Sequence, residues 1–134
     1  MSFLNVDNLY VNAMPPSAST TAAYFKLTNT SSQKIIFKSA TSPIANQVEL
    51  HKTTVNNGTM KMQRAHDVAI EGNGVLELSP GGYHLMLTEL KQSLKPSEHV
   101  PITLLFNDSQ QLTLHAVVRD IRNQDNHHNH HHHH

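Results

Sequence analysis

Cysteine is absent from this 134-residue chain. Its absence excludes disulfide staples, thiolate metal sites, iron–sulfur clusters and the His₂Cys copper site in one step. An excess of charge is also lacking, because ten Lys and Arg balance ten Asp and Glu. No basic cluster longer than a pair occurs ahead of the C-terminal tail, so the electrostatic footprint of a nucleic-acid binder is missing. Long apolar runs are missing too. Nothing approaches the ~20 residues of a membrane span. Met1-Ser2-Phe3-Leu4 has neither the charged start nor the apolar stretch of a signal peptide, so the chain reads as a mature segment.

What the chain does have is enough apolar content, 37%, for a single core in one domain of ordinary size. Turn signals recur about every ten residues and separate short segments rich in Val, Ile, Leu, Thr, Tyr and Phe, which is the pattern of an all-β sandwich or barrel. The expected strands are Leu4 to Val11, Ala22 to Thr28, Lys34 to Ser39, Asn46 to Thr53, Thr59 to Ala65, Gly74 to Leu78, Tyr83 to Glu89, Val100 to Phe106 and Gln111 to Asp120. Leu112, Leu114, Ala116 and Val118 recur at every second position, with Gln111 before them and Thr113 and His115 between the first three, which marks a strand with one buried face. No window of helical periodicity competes. Met14-Pro15-Pro16-Ser17, Pro43 and Pro80-Gly81-Gly82 mark turns, and Asn107-Asp108-Ser109 joins the last two strands.

Order is expected to end near Asn123. The division is therefore a domain over residues 1–122 and a disordered His-rich tail over 123–134. In that tail His127, His128 and His130 are candidate auxiliary metal ligands. The tail reads either as a purification tag or as a native metal-gathering segment, since Asn129 interrupts the histidine run. An imidazole-only set of this kind suits Cu(II).

Inside the domain, four residues carry chemistry by their order: His51, then Met62 after ten residues, His84 after twenty-one more, and Met86 after one. Imidazole and thioether are neutral, soft donors that favour Cu(I). Asn57-Gly58 is the strongest short-range signal for a two-residue type I′ hairpin. With those two residues as the loop, cross-strand partners sum to 115. Thr53 then faces Met62, His51 faces Arg64, and His51 and Met62 become diagonal neighbours on one face, within about 7–8 Å. A loop one residue longer would separate them. His84 and Met86, two apart in a strand, share a face, while Tyr83, Leu85 and Leu87 point to the core. Met60 falls on the face of His51 as a possible extra thioether, and His66 could serve as an outer ligand. His99 and His115 read as solvated surface histidines.

These residues carry a resemblance to the periplasmic copper chaperones called PCu(A)C. Supporting segments are Ala22-Ala23-Tyr24-Phe25-Lys26-Leu27-Thr28-Asn29, Val48-Glu49-Leu50-His51, Gly58-Thr59-Met60-Lys61-Met62, and Leu78-Ser79-Pro80-Gly81-Gly82-Tyr83-His84-Leu85-Met86. One departure is Lys52, where the family often has a methionine; an auxiliary thioether is missing and a positive charge takes its place. The resemblance implies a cupredoxin-like Greek-key β-sandwich or barrel with a Cu(I) site at His51, Met62, His84 and Met86. It also implies a periplasmic carrier that delivers copper to the CuA centre of cytochrome c oxidase or a related copper enzyme. The partner would then be a copper-accepting protein such as a CuA-type oxidase subunit, with no nucleic acid and no membrane span in this chain, the carrier itself being monomeric. All four donors being neutral, the bound ion keeps its charge, and a site at an exposed rim is expected. The residues leave two other readings open: a copper buffer or resistance protein without a specific acceptor, and a metal-free β-sandwich interaction module. No cysteine nucleophile, Ser/His/Asp motif or paired acidic residues argue for an enzyme.

Overall fold

A computed structural model describes residues 3–120. Ten strands follow one another: β1 (Leu4–Asn12), β2 (Thr20–Asn29), β3 (Ile35–Thr41), β4 (Ala45–Asn56), β5 (Thr59–Arg64), β6 (Val68–Ile70), β7 (Val75–Leu78), β8 (Tyr83–Leu90), β9 (His99–Phe106) and β10 (Gln111–Arg119). Eight of them run in the order β4-β8-β7-β2-β1-β10-β9-β3 and close into a barrel through the β3–β4 pairing at Ala40 and Val48. The remaining two lie outside the ring, β5 against β4 and β6 against β3. The all-β, cupredoxin-like Greek-key expectation is thus realised as a closed barrel. Closure removes the open edges that an eight-stranded sheet would otherwise present.

Period-2 alternation builds the barrel interior. In β2, Thr21, Ala23, Phe25, Leu27 and Asn29 are all buried, with half-buried residues between them. Leu85 and Leu87 of β8 and Ile102 and Leu104 of β9 are wholly enclosed. Each such side chain contributes roughly 1.5–3 kcal/mol relative to exposure. Asn29 is the polar exception. Its side-chain amide donates to the carbonyls of Gln33, Ile70 and Glu71, tying the β2–β3 connection to the end of β6.

Two differences from the expected strands have clear causes. The short β6 was not anticipated, because three residues are too few for alternation to show; it exists through pairing of Val68–Ile70 with Ile35, Ile36 and Phe37. Strand β4 runs three residues beyond the expected end at Thr53, because hairpin pairing with β5 continues to Asn56 and Thr59. At the β9–β10 corner, Asn107–Ser109 forms a 3₁₀ turn with Asp108 in the left-handed region. The Asn107 side chain accepts the Ile36 amide there at 2.8 Å.

Candidate metal centre

Asn57 and Gly58 both have positive φ, 54° and 79°, as a type I′ turn requires. The register is the one the tight turn dictates: His51 opposite Arg64, Thr53 opposite Met62, and Val55 opposite Met60. On its other side β4 pairs with β8, setting His51 directly opposite His84 and Glu49 directly opposite Met86. Three rows therefore cross the β8-β4-β5 surface. The first is Met86 and Glu49, the second His84, His51 and Arg64, and the third Thr53 and Met62. Leu50 and Leu85, paired on the opposite face, are buried in the barrel.

The two imidazoles meet, with ring centroids 5.8 Å apart and planes tilted by 44°. Met86 shares their face two residues beyond His84, and Met62 lies one row away on the outermost strand. Exposure varies across the set: His84 is 6% exposed, His51 and Met86 are half-buried, and Met62 is 53% exposed. The site expected at an exposed rim is thus graded in exposure, open at Met62 and enclosed at His84. β8 is flanked on both sides by strands, so His84 is enclosed, whereas β5 is an edge strand and leaves Met62 open.

The hydrogen bonds assign each ring nitrogen. His51 Nε2 is 3.0 Å from Glu49 Oε1, and His84 Nδ1 is 3.3 Å from the Gly82 carbonyl oxygen. A carboxylate and a carbonyl can only accept, so each ring donates from that nitrogen, and in its neutral form it holds a lone pair on the other. Among the described residues, the buried side-chain atoms without a hydrogen-bond partner are Asn12 Oδ1, Thr88 Oγ1, His51 Nδ1 and His84 Nε2. The two nitrogens on that roll are the lone-pair nitrogens of the facing histidines. A buried lone pair left without a donor costs about 1–3 kcal/mol, and a metal ion is the partner that imidazole nitrogens in this state commonly take. The donor set fits Cu(I).

Glu49 and Arg64, neither of them a soft donor, adjoin the two facing histidines. Glu49 Oε1 accepts from His51, and Oε2 lies 3.4 Å from an Arg64 guanidinium nitrogen. The hydrogen bond from His51 is the largest influence holding the Glu49 carboxyl below its ordinary value; desolvation opposes it, and the charges of Arg64, His51 and His66 reinforce it. The signal was present in the sequence: Glu49 is two residues before His51 on the same face, and Arg64 is the cross-strand partner the hairpin rule assigns to His51.

Other candidates fall further out. Met60 is 69% exposed beside the hairpin turn, four residues from Arg64 and so about 13 Å along the strand from the histidine row. His66 is exposed just past β5, close enough to Glu49 for its charge to be felt. His99 and His115 are exposed, as anticipated. Lys52 extends to the other face and stands over the Tyr83 ring, 5.0 Å from its centroid, so its charge is directed away from the histidines. His127, His128 and His130 lie outside the described residues. So does the whole 123–134 tail.

The chain resembles several known proteins. The family described as "Putative lipoprotein LpqE-like" matches residues 4–118. The chain is 37% identical over 101 residues to "Putative lipoprotein Lxx21020" of Leifsonia xyli subsp. xyli, covering 75% of this chain and 61% of that protein. It is 30% identical over 101 residues to "Uncharacterized protein RP573" of Rickettsia prowazekii, covering 75% of this chain and 56% of that one. The chain thus spans about three fifths of the length of these relatives. Among solved structures, DR1885 of Deinococcus radiodurans is 38% identical in its apo form, with a TM-score of 0.68 over 88% of this chain and 79% of that one. DR1885 has also been solved in a CuI form, with a TM-score of 0.66 over 87% and 76% of the two chains. The copper-bound PCuAC domain from PmoF2 superposes with a TM-score of 0.73 at 15% identity, covering 88% of this chain and 93% of that one, which speaks to the fold alone. The chain belongs to the LpqE-like family, and its barrel has the fold of the PCuAC domains.

Proposed function

We propose that this chain is a copper carrier of the bacterial cell envelope, holding Cu(I) through His51, Met62, His84 and Met86 and passing it to a copper-accepting protein. The observation that carries this reading is the pair of facing imidazoles. Each has one nitrogen committed to an acceptor and the other unpartnered and buried, with methionines on the same face. The relative DR1885, solved with CuI, supports the choice of ion, and the lipoprotein names of the family support the envelope location, which we take to be the periplasm.

Chemistry favours the same role. Thioether and imidazole stay available in an oxidising compartment where thiols would be captured as disulfides, and thioether softness selects Cu(I) over harder ions. The graded exposure suits transfer. His84 anchors the ion inside while Met62, on the open edge, yields first to an incoming ligand. The acceptor we favour is the CuA centre of cytochrome c oxidase or a related copper enzyme, and the role is delivery, not catalysis.

X-ray absorption on the Cu(I)-loaded chain truncated after Asn126 tests the site. Sulfur and nitrogen together in the first shell, at one copper per chain, are expected; a shell of nitrogen and oxygen alone would sink the assignment. Mixing the loaded protein with an apo CuA-type acceptor should develop the acceptor's colour.

A further inference from the structure

The Glu49 carboxylate sits on the metal-facing surface, directly opposite Met86 and in contact with His51. A carboxylate there could act as a hard oxygen ligand. Both of its oxygens are instead engaged, Oε1 by His51 Nε2 and Oε2 by Arg64. The same contact decides which His51 nitrogen is left for a metal, because a neutral imidazole that donates from Nε2 offers its lone pair only at Nδ1. His84 is fixed the opposite way. Its Nδ1–H is held by the Gly82 carbonyl, leaving Nε2.

Building on the copper-carrier reading, we infer that Glu49, clamped by Arg64, is the positioning residue of the centre: it holds His51 in the Nε2–H form so that copper is taken by His51 Nδ1 and His84 Nε2. Arg64 in turn keeps the carboxylate off the metal. The carboxylate also lies beside an ion that four neutral donors leave with its full positive charge, so it contributes a counter-charge without entering the coordination shell. Outer partners of this type orient ligating histidines and raise their basicity, and their loss commonly weakens metal binding by 10–100-fold. Withholding the oxygen preserves the soft character of the set, and with it selectivity for Cu(I) over Zn(II) and Cu(II).

The test uses the full chain with ¹⁵N-labelled histidine, followed at the resolved ring signals of His51 so that the tail histidines do not interfere. The copper-free protein should show His51 as the Nε2–H tautomer, and Cu(I) should perturb Nδ1. Glu49→Ala should mix the tautomers and lower Cu(I) affinity at this site by about 10–100-fold, read by chelator competition. Glu49→Gln, which keeps an acceptor oxygen, should restore the tautomer but not the full affinity. Arg64→Ala should leave the tautomer intact while raising Zn(II) affinity relative to Cu(I). Backbone amide spectra establish that each variant is folded. Copper perturbing His51 Nε2, or Glu49→Ala leaving tautomer and affinity at parent values, overturns the inference. His51→Ala separates the two levels: if it binds Cu(I) like the parent, the copper site itself is wrong. If it loses copper while Glu49→Ala does not, only the positioning role fails.

Discussion

His51 and His84 face each other across adjacent antiparallel strands, and the pair is asymmetric: His84 is buried on an interior strand, while His51 is half-buried on the strand that leads to the exposed hairpin. Both imidazoles are metal ligands in our reading, so His51→Ala and His84→Ala should each lose most Cu(I) affinity. Their effects on stability should differ. Removing buried His84 leaves a cavity and frees the Gly82 carbonyl, which should cost about 1–3 kcal/mol, whereas His51→Ala should cost under about 1 kcal/mol. Chemical denaturation of the copper-free variants checks the order.

The methionines separate ligation from packing. Met62→Leu and Met86→Leu keep most of the side-chain volume, so each should cost under about 1.5 kcal/mol of stability, with Met62, 53% exposed, at the lower end. Copper affinity should fall steeply in both, because a hydrocarbon cannot donate to the ion. Cu(I) competition and thermal melting on the same samples decide the matter. Parent-like copper binding with lowered stability would make the thioethers packing residues and favour an interaction module.

The hairpin turn controls whether Met62 joins the site. Nothing lies within 4 Å of where a Cβ on Gly58 would sit, yet its φ is +79°. Gly58→Ala is therefore strained by backbone conformation and not by crowding, at about 1 kcal/mol. Because β5 is an edge strand that pairs with β4 alone among the described residues, the strain should appear as faster amide exchange across Thr59–Arg64 and a modest loss of copper affinity. The barrel strands should exchange as before.

Local rules made much of this legible. The Asn57-Gly58 turn set the β4–β5 register residue by residue, and the two-residue spacing of His84 and Met86 put them on one face. What no local rule could supply was the β4–β8 register, a pairing between segments more than thirty residues apart. The opposition of His51 to His84 and of Glu49 to Met86 depends on it. The burial of His84 was hidden for the same reason, since enclosure comes from neighbouring strands and not from the sequence around the residue. Glu49 and Arg64 fall on the face of His51 by local rules, but their contacts with it and with each other rest on side-chain geometry that no spacing supplies.

Away from the metal face, Tyr24 offers a pH test of the barrel wall. Burial is the main cause raising its hydroxyl above the ordinary value of 10.0, and the nearby Tyr10 adds to it; the two rings are 5.3 Å apart, with Arg119 over Tyr10. A folded-state value above the unfolded one means that the unfolded chain gives up this proton first. Stability is then complete below about pH 10 and declines as pH rises through the folded value. Tyr24→Phe should flatten that alkaline decline without altering Cu(I) binding, as thermal melts between neutral and strongly alkaline pH would show.

The C-terminal histidines pose the last question, since His127, His128 and His130 could gather metal independently of the barrel. An imidazole-only set suits Cu(II) or Ni(II) better than it suits the thioether-type Cu(I) site, and its binding should vanish below about pH 5.5 as free histidines protonate. Truncation after Asn126 removes this set and none of His51, Met62, His84 and Met86. The truncated chain should therefore keep its Cu(I) affinity and the copper-induced changes at His51 and Met62, while its uptake of Cu(II) and Ni(II) falls. Parallel titrations with Cu(I), Cu(II) and Ni(II) on both lengths of chain provide the readout. If truncation instead abolishes Cu(I) binding, the primary site lies in the tail, and the facing histidines of the barrel lose their assigned role.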